Sequence, residues 1–253
     1  RGTGYVGGIN KQIRIDFGNT QTIVSNICTE VANGTFSAVF SVNTQSFGTC
    51  TIKATYVNDA NQTAERVFTI CPAIYKISPT QGTIGAGVIV YGNGYAAGDV
   101  VSVKFGQTSG IATATVELQG SFTAMFTVDT QPIGWTTVTA SGTMNTTASI
   151  IFTIVPKITM VSPGNGTVGT IVRVDGNGYQ ANELINIRFG STPVIVSVNA
   201  ASDGSFTTTF TVNTQKYGTT SVIATGGSSN GSATVTFFIL PEVYQVSPNA
   251  GTV

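Results

Sequence analysis

The chain has no histidine. That removes the commonest general base, the commonest metal ligand and every histidine-dependent catalytic triad. Charge is scarce too: Asp, Glu, Lys and Arg make up 9% of 253 residues, and eleven bases balance eleven acids. Such a surface offers no basic patch to nucleic acid and no acidic tail to a basic partner. No run approaches the roughly 18 apolar residues of a membrane helix, so no membrane insertion is expected within this segment. Nor does a charged start lead into an apolar core resembling a signal peptide, so the targeting segment of a secreted form would lie outside this sequence. Strong helix formers are sparse, and Thr, Ser and Val take their place. With 41% hydrophobic residues and a mean hydropathy of +0.24, the chain is apolar enough to fold, and its composition predicts an all-β protein.

A repeat of about 85 residues organises it. RGTGYVGGINKQIRIDFG at Arg1 returns as YGNGYAAGDVVSVKFG at Tyr91 and DGNGYQANELINIRFG at Asp175. In the later copies a lead-in precedes it, PAIYKISPTQGTIGAGVIV from Pro72 and PKITMVSPGNGTVGTIVRV from Pro156. PEVYQVSPNAGTV from Pro241 matches the start of that lead-in. The expected domains are 1–71, a sandwich lacking its first strands, then 72–155 and 156–240. Residues 241–253 are expected to be the first strand of a further domain or a donor strand for domain 1 of the next subunit.

The clearest strand is GSFTTTFTV from Gly204, matched by GSFTAMFTV from Gly120 and GTFSAVFSV from Gly34. Alternate residues are apolar, giving one buried face with period two. NTQ, DTQ and NTQ follow at Asn43, Asp129 and Asn213, then a turn glycine and a final hairpin. Strands every 8 to 12 residues indicate a two-sheet sandwich. The GxGY element reads as a structural corner, because a phosphate-cradling loop would need a helix after it and these residues alternate as a strand. Its glycines permit positive φ or close backbone approach, and Tyr5, Tyr95 and Tyr179 would cap the core.

The order SPxxGTVGxxVxVxGxGY, xFG, GSFxxxFxV, a glycine-led strand and a final xFxI before Pro resembles the immunoglobulin-like repeats, broadly similar to IPT/TIG modules, of archaeal and bacterial surface layers, stalks and extracellular filaments. The resemblance covers essentially the whole chain. It implies tandem immunoglobulin-like β-sandwiches, an extracellular or cell-surface location, and a role as spacer, adhesive stalk or filament subunit. Turn glycines and core positions specify fold better than function.

Candidates for chemistry are few. The carboxylates do not recur at equivalent positions in all three repeats, so no catalytic pair, cofactor or metal is expected. Asp99, Asp175 and Asp203 lie in loops where calcium chemistry is conceivable, but turn residues bonding their own backbone are the simpler reading. Lys104 aligns with Asp16 and Arg188 on the outward phase of its strand, which argues for a solvated face rather than an isopeptide bond. Trp135, the sole tryptophan, is expected to be partly buried in a loop, with an exposed sugar or chain contact as the alternative. Cys50 starts the penultimate strand and Cys71 ends the last, so a Cys50–Cys71 disulfide is expected in an oxidising compartment. Cys28 is expected to be free and buried, with an intermolecular bond as the alternative. Sequons at Asn33, Asn61, Asn145, Asn165 and Asn230 are candidate N-glycan sites, with Asn33, Asn61 and Asn145 in turns.

Two functions follow. One is a structural subunit or segment of an extracellular filament or stalk, a head-to-tail homopolymer in which the open N-terminal sandwich is completed by a C-terminal strand. The residues Val243, Tyr244, Val246, Pro248 and Val253 would form that strand. In the alignment Val253 corresponds to Val168 and Arg1 to Asp175, so joining the two ends rebuilds a repeat short of six residues with the pattern of a core strand. Short linkers ending in Pro156 and Pro241 would stiffen the joints. The other function is an adhesin or carbohydrate-binding repeat module.

Overall fold

The structure, a computed structural model, describes residues 1–7, 11–30, 32–243 and 245–251. Among these residues all regular secondary structure is β. The first repeat forms β1 (Gln12–Phe17), β2 (Thr20–Cys28), β3 (Gly48–Tyr56) and β4 (Asp59–Ile70). The second forms β5 (Ala73–Ser78), β6 (Gln81–Gly82), β7 (Gly87–Asn93), β8 (Val100–Phe105), β9 (Thr108–Thr115), β10 (Phe122–Thr127), β11 (Gly134–Ser141) and β12 (Thr147–Ile154). The third forms β13 (Lys157–Ser162), β14 (Asn165–Gly166), β15 (Ile171–Asn177), β16 (Leu184–Phe189), β17 (Thr192–Asn199), β18 (Phe206–Thr211), β19 (Gly218–Gly226) and β20 (Ser232–Ile239).

The third repeat is an immunoglobulin-like sandwich of two sheets, ordered β13-β15-β18 and β14-β20-β19-β16-β17. The second carries the same orders, β10-β7-β5 and β6-β12-β11-β8-β9. Contacts group the chain into two compact units. One comprises Arg1–Ile77, Ile89–Met125 and Val138–Ile150, the other Ser78–Val88, Phe126–Thr137 and the chain from Ile151 onward. Repeat 1 lies wholly in the first and repeat 3 wholly in the second.

Period-two alternation builds the core. In repeat 3, β15 contributes Val172 and Val174, β16 contributes Ile185, Ile187 and Phe189, and β18 contributes Phe206 and Phe210, all buried. Each fully buried side chain of this size contributes about 1.5–3 kcal/mol. The GxGY corner anchors one end of that core. Its first glycine (Gly2, Gly92, Gly176) lies against the Phe36, Phe122 or Phe206 ring, where a Cβ would come within 2.1–2.2 Å of a ring carbon. Its second glycine (Gly4, Gly94, Gly178) has φ of +75° to +81°. The tyrosine then meets the same phenylalanine edge-on, at ring distances of 5.4, 5.0 and 5.3 Å. Its hydroxyl donates to the carbonyl of Ala54, Ala140 or Ala224 at 3.0–3.1 Å. Thus the buried polar tip is satisfied across the sandwich.

Repeat 1 departs from this plan. It has one four-stranded sheet, β2-β1-β3-β4, and its GTFSAVFSV segment forms only the isolated bridge Gly2↔Phe36. A strand needs a partner, and the equivalents of β10 and β18 have β7 and β15 as theirs. The tail also differs from expectation: the described residues of 241–251 form no strand, and Val243 and Val246 are exposed. Tyr244 and Val253, named for the assembly strand, lie outside the described residues.

Candidate assembly site

The joints between repeats are built from backbone. In the first unit the Phe47 N–H donates to the Tyr95 carbonyl at 3.0 Å. The Ser46 hydroxyl donates to the same carbonyl at 3.3 Å and accepts from the Ala97 N–H at 3.1 Å. In the second unit the Ile133 N–H donates to the Tyr179 carbonyl at 3.2 Å. Phe47 and Ile133 are equivalent positions, as are Tyr95 and Tyr179, so one hydrogen bond is used twice. Glycine makes the approach fit. A Cβ on Gly120 would lie 2.6 Å from Ser46 Cα, and one on Gly204 would lie 2.9 Å from Pro132 Cα. The GxGY and GSF motifs therefore also shape the surface that receives the preceding repeat.

The loop that reaches across is braced by its glutamine. Gln45, Gln131 and Gln215 donate to Asn43, Asp129 and Asn213 at 3.0, 3.0 and 2.8 Å. Gln45 and Gln131 are buried. Sequence reading treats NTQ only as a turn. The available signal is a glutamine recurring at one position in all three repeats, which a simple turn does not require.

A second feature is the open side of repeat 1. A cleft of about 400 Å³ there is lined by Ile15, Phe36, Ala38, Phe40, Ile52 and Ala54, among others. Val42 is 52% exposed, whereas Val128 and Val212 at the same position are 1% exposed. Phe68 is 37% exposed against 0% for Phe152 and 1% for Phe237.

Carboxylates have structural partners. Asp99 accepts from the Thr143 hydroxyl at 2.6 Å and the Val100 N–H at 2.7 Å, and the Thr143 bond leads in holding its pKa below the ordinary value. Burial pushes the Glu183 carboxyl up, but the donors of Ser229, Gln180 and Ser228 more than reverse this and leave it lowered. Asp203 is lowered chiefly by the Ser205 hydroxyl at 2.6 Å, and Asp175 pairs with Arg173 at 2.9 Å. These are turn and strand braces. No group of three or more His, Cys, Asp or Glu that could hold a metal occurs among the described residues. Burial pushes the Tyr95 phenol up to about 12 and raises Tyr179 and Tyr5 as well.

Residues 155–239 match the macroglobulin-like domain family. No curated protein matches the chain. Among solved structures, the Yersinia pseudotuberculosis adhesin InvE is similar at 12% identity and a TM-score of 0.31, covering 66% of this chain and 58% of that one. Bacteroides ovatus SGBP-B, in complex with a mixed-linkage heptasaccharide, is 10% identical with a TM-score of 0.29, covering 92% and 60%. The ICAM-5 D1–D4 ectodomain fragment is 14% identical with a TM-score of 0.33, covering 91% and 68%. The chain thus spans about three fifths of the length of the first two. No helix among the described residues is long and apolar enough to cross a membrane.

Several expected positions need correction. The Cys50–Cys71 disulfide is not formed, and all three cysteines are free. The β3–β4 register places Cys50 opposite Phe68 and Gly48 opposite Ile70. Cys71 therefore sits three residues past the partner of Cys50, roughly 10 Å along the strand. A disulfide spans Cα atoms at most about 7 Å apart. Cys28 is exposed at the end of β2 rather than buried. Trp135 is 85% exposed on β11. Asn33, Asn61, Asn145, Asn165 and Asn230 are all exposed, although Asn61 lies within β4 rather than in the turn before it. In the tail Val243, Val246 and Pro248 are exposed and unpaired as strand.

Proposed function

We propose that this chain is a non-catalytic structural segment of an extracellular surface protein or filament, built by joining sandwich repeats end to end. The observation that carries this reading is the repeated joint, in which Phe47 and Ile133 donate to Tyr95 and Tyr179. A joint of backbone atoms and required glycines couples neighbours without reactive side chains, which suits a spacer rather than an enzyme. The surface-layer and stalk resemblance, an extracellular location and N-glycans on the exposed sequons belong to the same reading. In assembly, a neighbouring copy completes the open sandwich of repeat 1 head to tail, with residues 241–253 contributing to the donated segment. Electron microscopy and sedimentation of the purified chain test this. The expected outcome is polymers that boiling in detergent dissociates to subunits of 26.1 kDa. A monomer at high concentration with repeat 1 fully protected from hydrogen exchange would remove the assembly reading.

One observation favours an adhesin or carbohydrate-binding module instead, the 85% exposure of Trp135. Exposed indoles stack on sugar faces and partner surfaces. As the sole tryptophan it reports directly, so ligand-dependent fluorescence on a glycan panel, lost in Trp135→Ala, would favour this second reading.

A further inference from the structure

We propose that Glu183 is an acid-released clamp on the joint between repeats 2 and 3. While ionised it holds the turn between β19 and β20 against the loop of repeat 2, and protonation frees that turn and opens the joint. This rests on the joint described above and adds its regulation. Three observations carry it. First, Glu183 is buried, and five donors converge on its carboxylate. The N–H groups of Gln180, Ser228 and Ser229 reach it at 2.6, 3.2 and 2.9 Å, and the Ser228 and Ser229 hydroxyls at 3.4 and 2.8 Å. An ionised carboxylate only accepts and so suits them all, whereas a protonated one turns a donor toward N–H groups that cannot reverse. Burial raises this carboxyl, but its donors more than reverse the effect. The clamp is therefore intact above the ordinary carboxylate range and lost as pH falls through the folded value.

Second, the clamped turn is a place where repeat 3 touches repeat 2. The Ser229 hydroxyl accepts from the Gly231 N–H at 3.1 Å, and the Gly231 carbonyl accepts from the Gly226 N–H at 2.9 Å. Gly231 in turn lies against the joint: a Cβ there would come 2.5 Å from Ile133 Cδ1 and 3.2 Å from Pro156 Cγ. Ile133 is the residue whose N–H donates to the Tyr179 carbonyl. A path of direct contacts thus runs from the Glu183 carboxylate through Ser229 and Gly231 to the residue that joins the repeats. Third, the clamp belongs to repeat 3. In repeat 2 the Gly142 N–H to Thr146 carbonyl bond, at 2.8 Å, closes a turn one residue shorter, and Asp99 stands in place of Glu183 with Thr143 as its partner there. The other titratable groups around this joint are few. Burial, then the Glu183 charge, raises the Tyr179 phenol, so it stays neutral where a carboxylate titrates. Asp129 accepts from Gln131 at 3.0 Å, Asp203 accepts from the Ser205 N–H at 2.9 Å, and Lys157 donates to the Ile84 carbonyl at 3.4 Å. Among the described residues no Lys or Arg pairs with Glu183.

The test follows amide exchange of the full chain by NMR as pH falls from neutral through the carboxylate range, corrected for the intrinsic pH dependence of exchange, with the Glu183 carboxyl resonance titrated alongside. The expected result is exchange at Ile133 about tenfold faster once Glu183 is protonated, with the same midpoint, while the β15–β18 ladder stays protected. Glu183→Gln should show the faster exchange already at neutral pH and change little with acid. Asp129→Asn and Asp203→Asn should keep the acid response. Asparagine already stands at the first of these positions in repeats 1 and 3, as Asn43 and Asn213. Ile133 protection that survives protonation of Glu183, release only together with the β15–β18 ladder, or loss of the response in Asp129→Asn or Asp203→Asn would overturn the proposal. If Glu183→Gln unfolds repeat 3, the titration of the unaltered chain decides. Electron microscopy separates the clamp from the assembly reading. A chain that stays monomeric but releases Ile133 in acid keeps the clamp and removes assembly, whereas polymers whose Ile133 ignores acid do the reverse.

Discussion

Repeats 1 and 3 share a corner, a hairpin and a Phe-x-x-x-Phe segment, yet only one has a closed core. GTFSAVFSV and GSFTTTFTV have the same alternation, but the second is strand β18 and the first forms only a bridge at Phe36. The difference is a neighbour. In repeat 3 β15 supplies both the hydrogen-bond ladder and two buried valines; repeat 1 as described starts at the equivalent of Asp175 within that strand, and there Val42 and Phe68 are 52% and 37% exposed. A sheet residue is thus held by contacts far away in sequence, and the same local pattern gives different structures with and without them.

The largest expected contrast comes from matched phenylalanines. Phe237→Ala should cost repeat 3 about 3–5 kcal/mol, as a buried aromatic truncation does, whereas Phe68→Ala should cost repeat 1 about 1 kcal/mol. Urea unfolding with repeat-resolved exchange measures both, and equal losses would mean that repeat 1 is not open. Next, Gly120→Ala should cost about 2–3 kcal/mol, since φ there is +84° and the added carbon meets the preceding repeat at Ser46. The Phe47 amide should then exchange faster. Gly34→Ala, whose added carbon would meet the Tyr5 carbonyl instead, should weaken repeat 1 and leave that amide protected.

Tyr179→Phe should cost about 1 kcal/mol by removing the buried hydrogen bond from its hydroxyl to the Ala224 carbonyl, and Tyr5→Phe less, because its surroundings are more exposed. The pH profile sharpens the comparison from both sides. Tyr95, raised to about 12, and Tyr179, raised too, are stabilised in the neutral form. Their contribution is complete below the unfolded tyrosine value of about 10 and is lost as pH rises through the folded values. Asp99, Glu183 and Asp203 are lowered, so their contribution is present above the ordinary carboxylate range and lost as pH falls through the folded values. With no histidine, stability should be nearly flat between about pH 5 and 8. Lys11 holds the place of Asp99 and Glu183 in repeat 1, where its carbonyl accepts from Thr29 as theirs do from Val116 and Ala200. Acid should therefore loosen the hairpin turns of repeats 2 and 3 first, and Glu183→Gln should flatten the acid limb. The smallest effect belongs to the exposed Lys53–Glu65 pair at 3.4 Å. Its removal should change stability by no more than about 0.5 kcal/mol.

Much of the fold was legible because it is local. Alternation in FTTTF and its copies, glycines at Gly2, Gly4 and their equivalents, and tyrosines beside them identify strands and a corner without any knowledge of neighbours. The candidate assembly site was half legible. The tail and the open first repeat are visible as unmatched copies of a repeat, but the NTQ loop reads as an ordinary turn until Gln45 is seen bracing Ser46 and Phe47 against Tyr95. Trp135 shows why exposure is hard to read: on a strand one face is covered and one is not, and a single aromatic beside a turn glycine does not say which.

What the sequence by itself determined is the repeat, the all-β class and the corner, since these follow from residue type and spacing along a few positions. Tertiary structure decided which alternating segment becomes a strand, which cysteines can meet and which loop reaches the backbone of the following repeat. Cys50 and Cys71 look adjacent in a hairpin drawn from the sequence, and a register set by the whole β3–β4 ladder moves them apart. The physical reason is common to all three: β-pairing stabilises a residue only through a partner distant in the chain, so the pattern states what a segment is able to pair with and the assembled sheet decides whether that pairing is made.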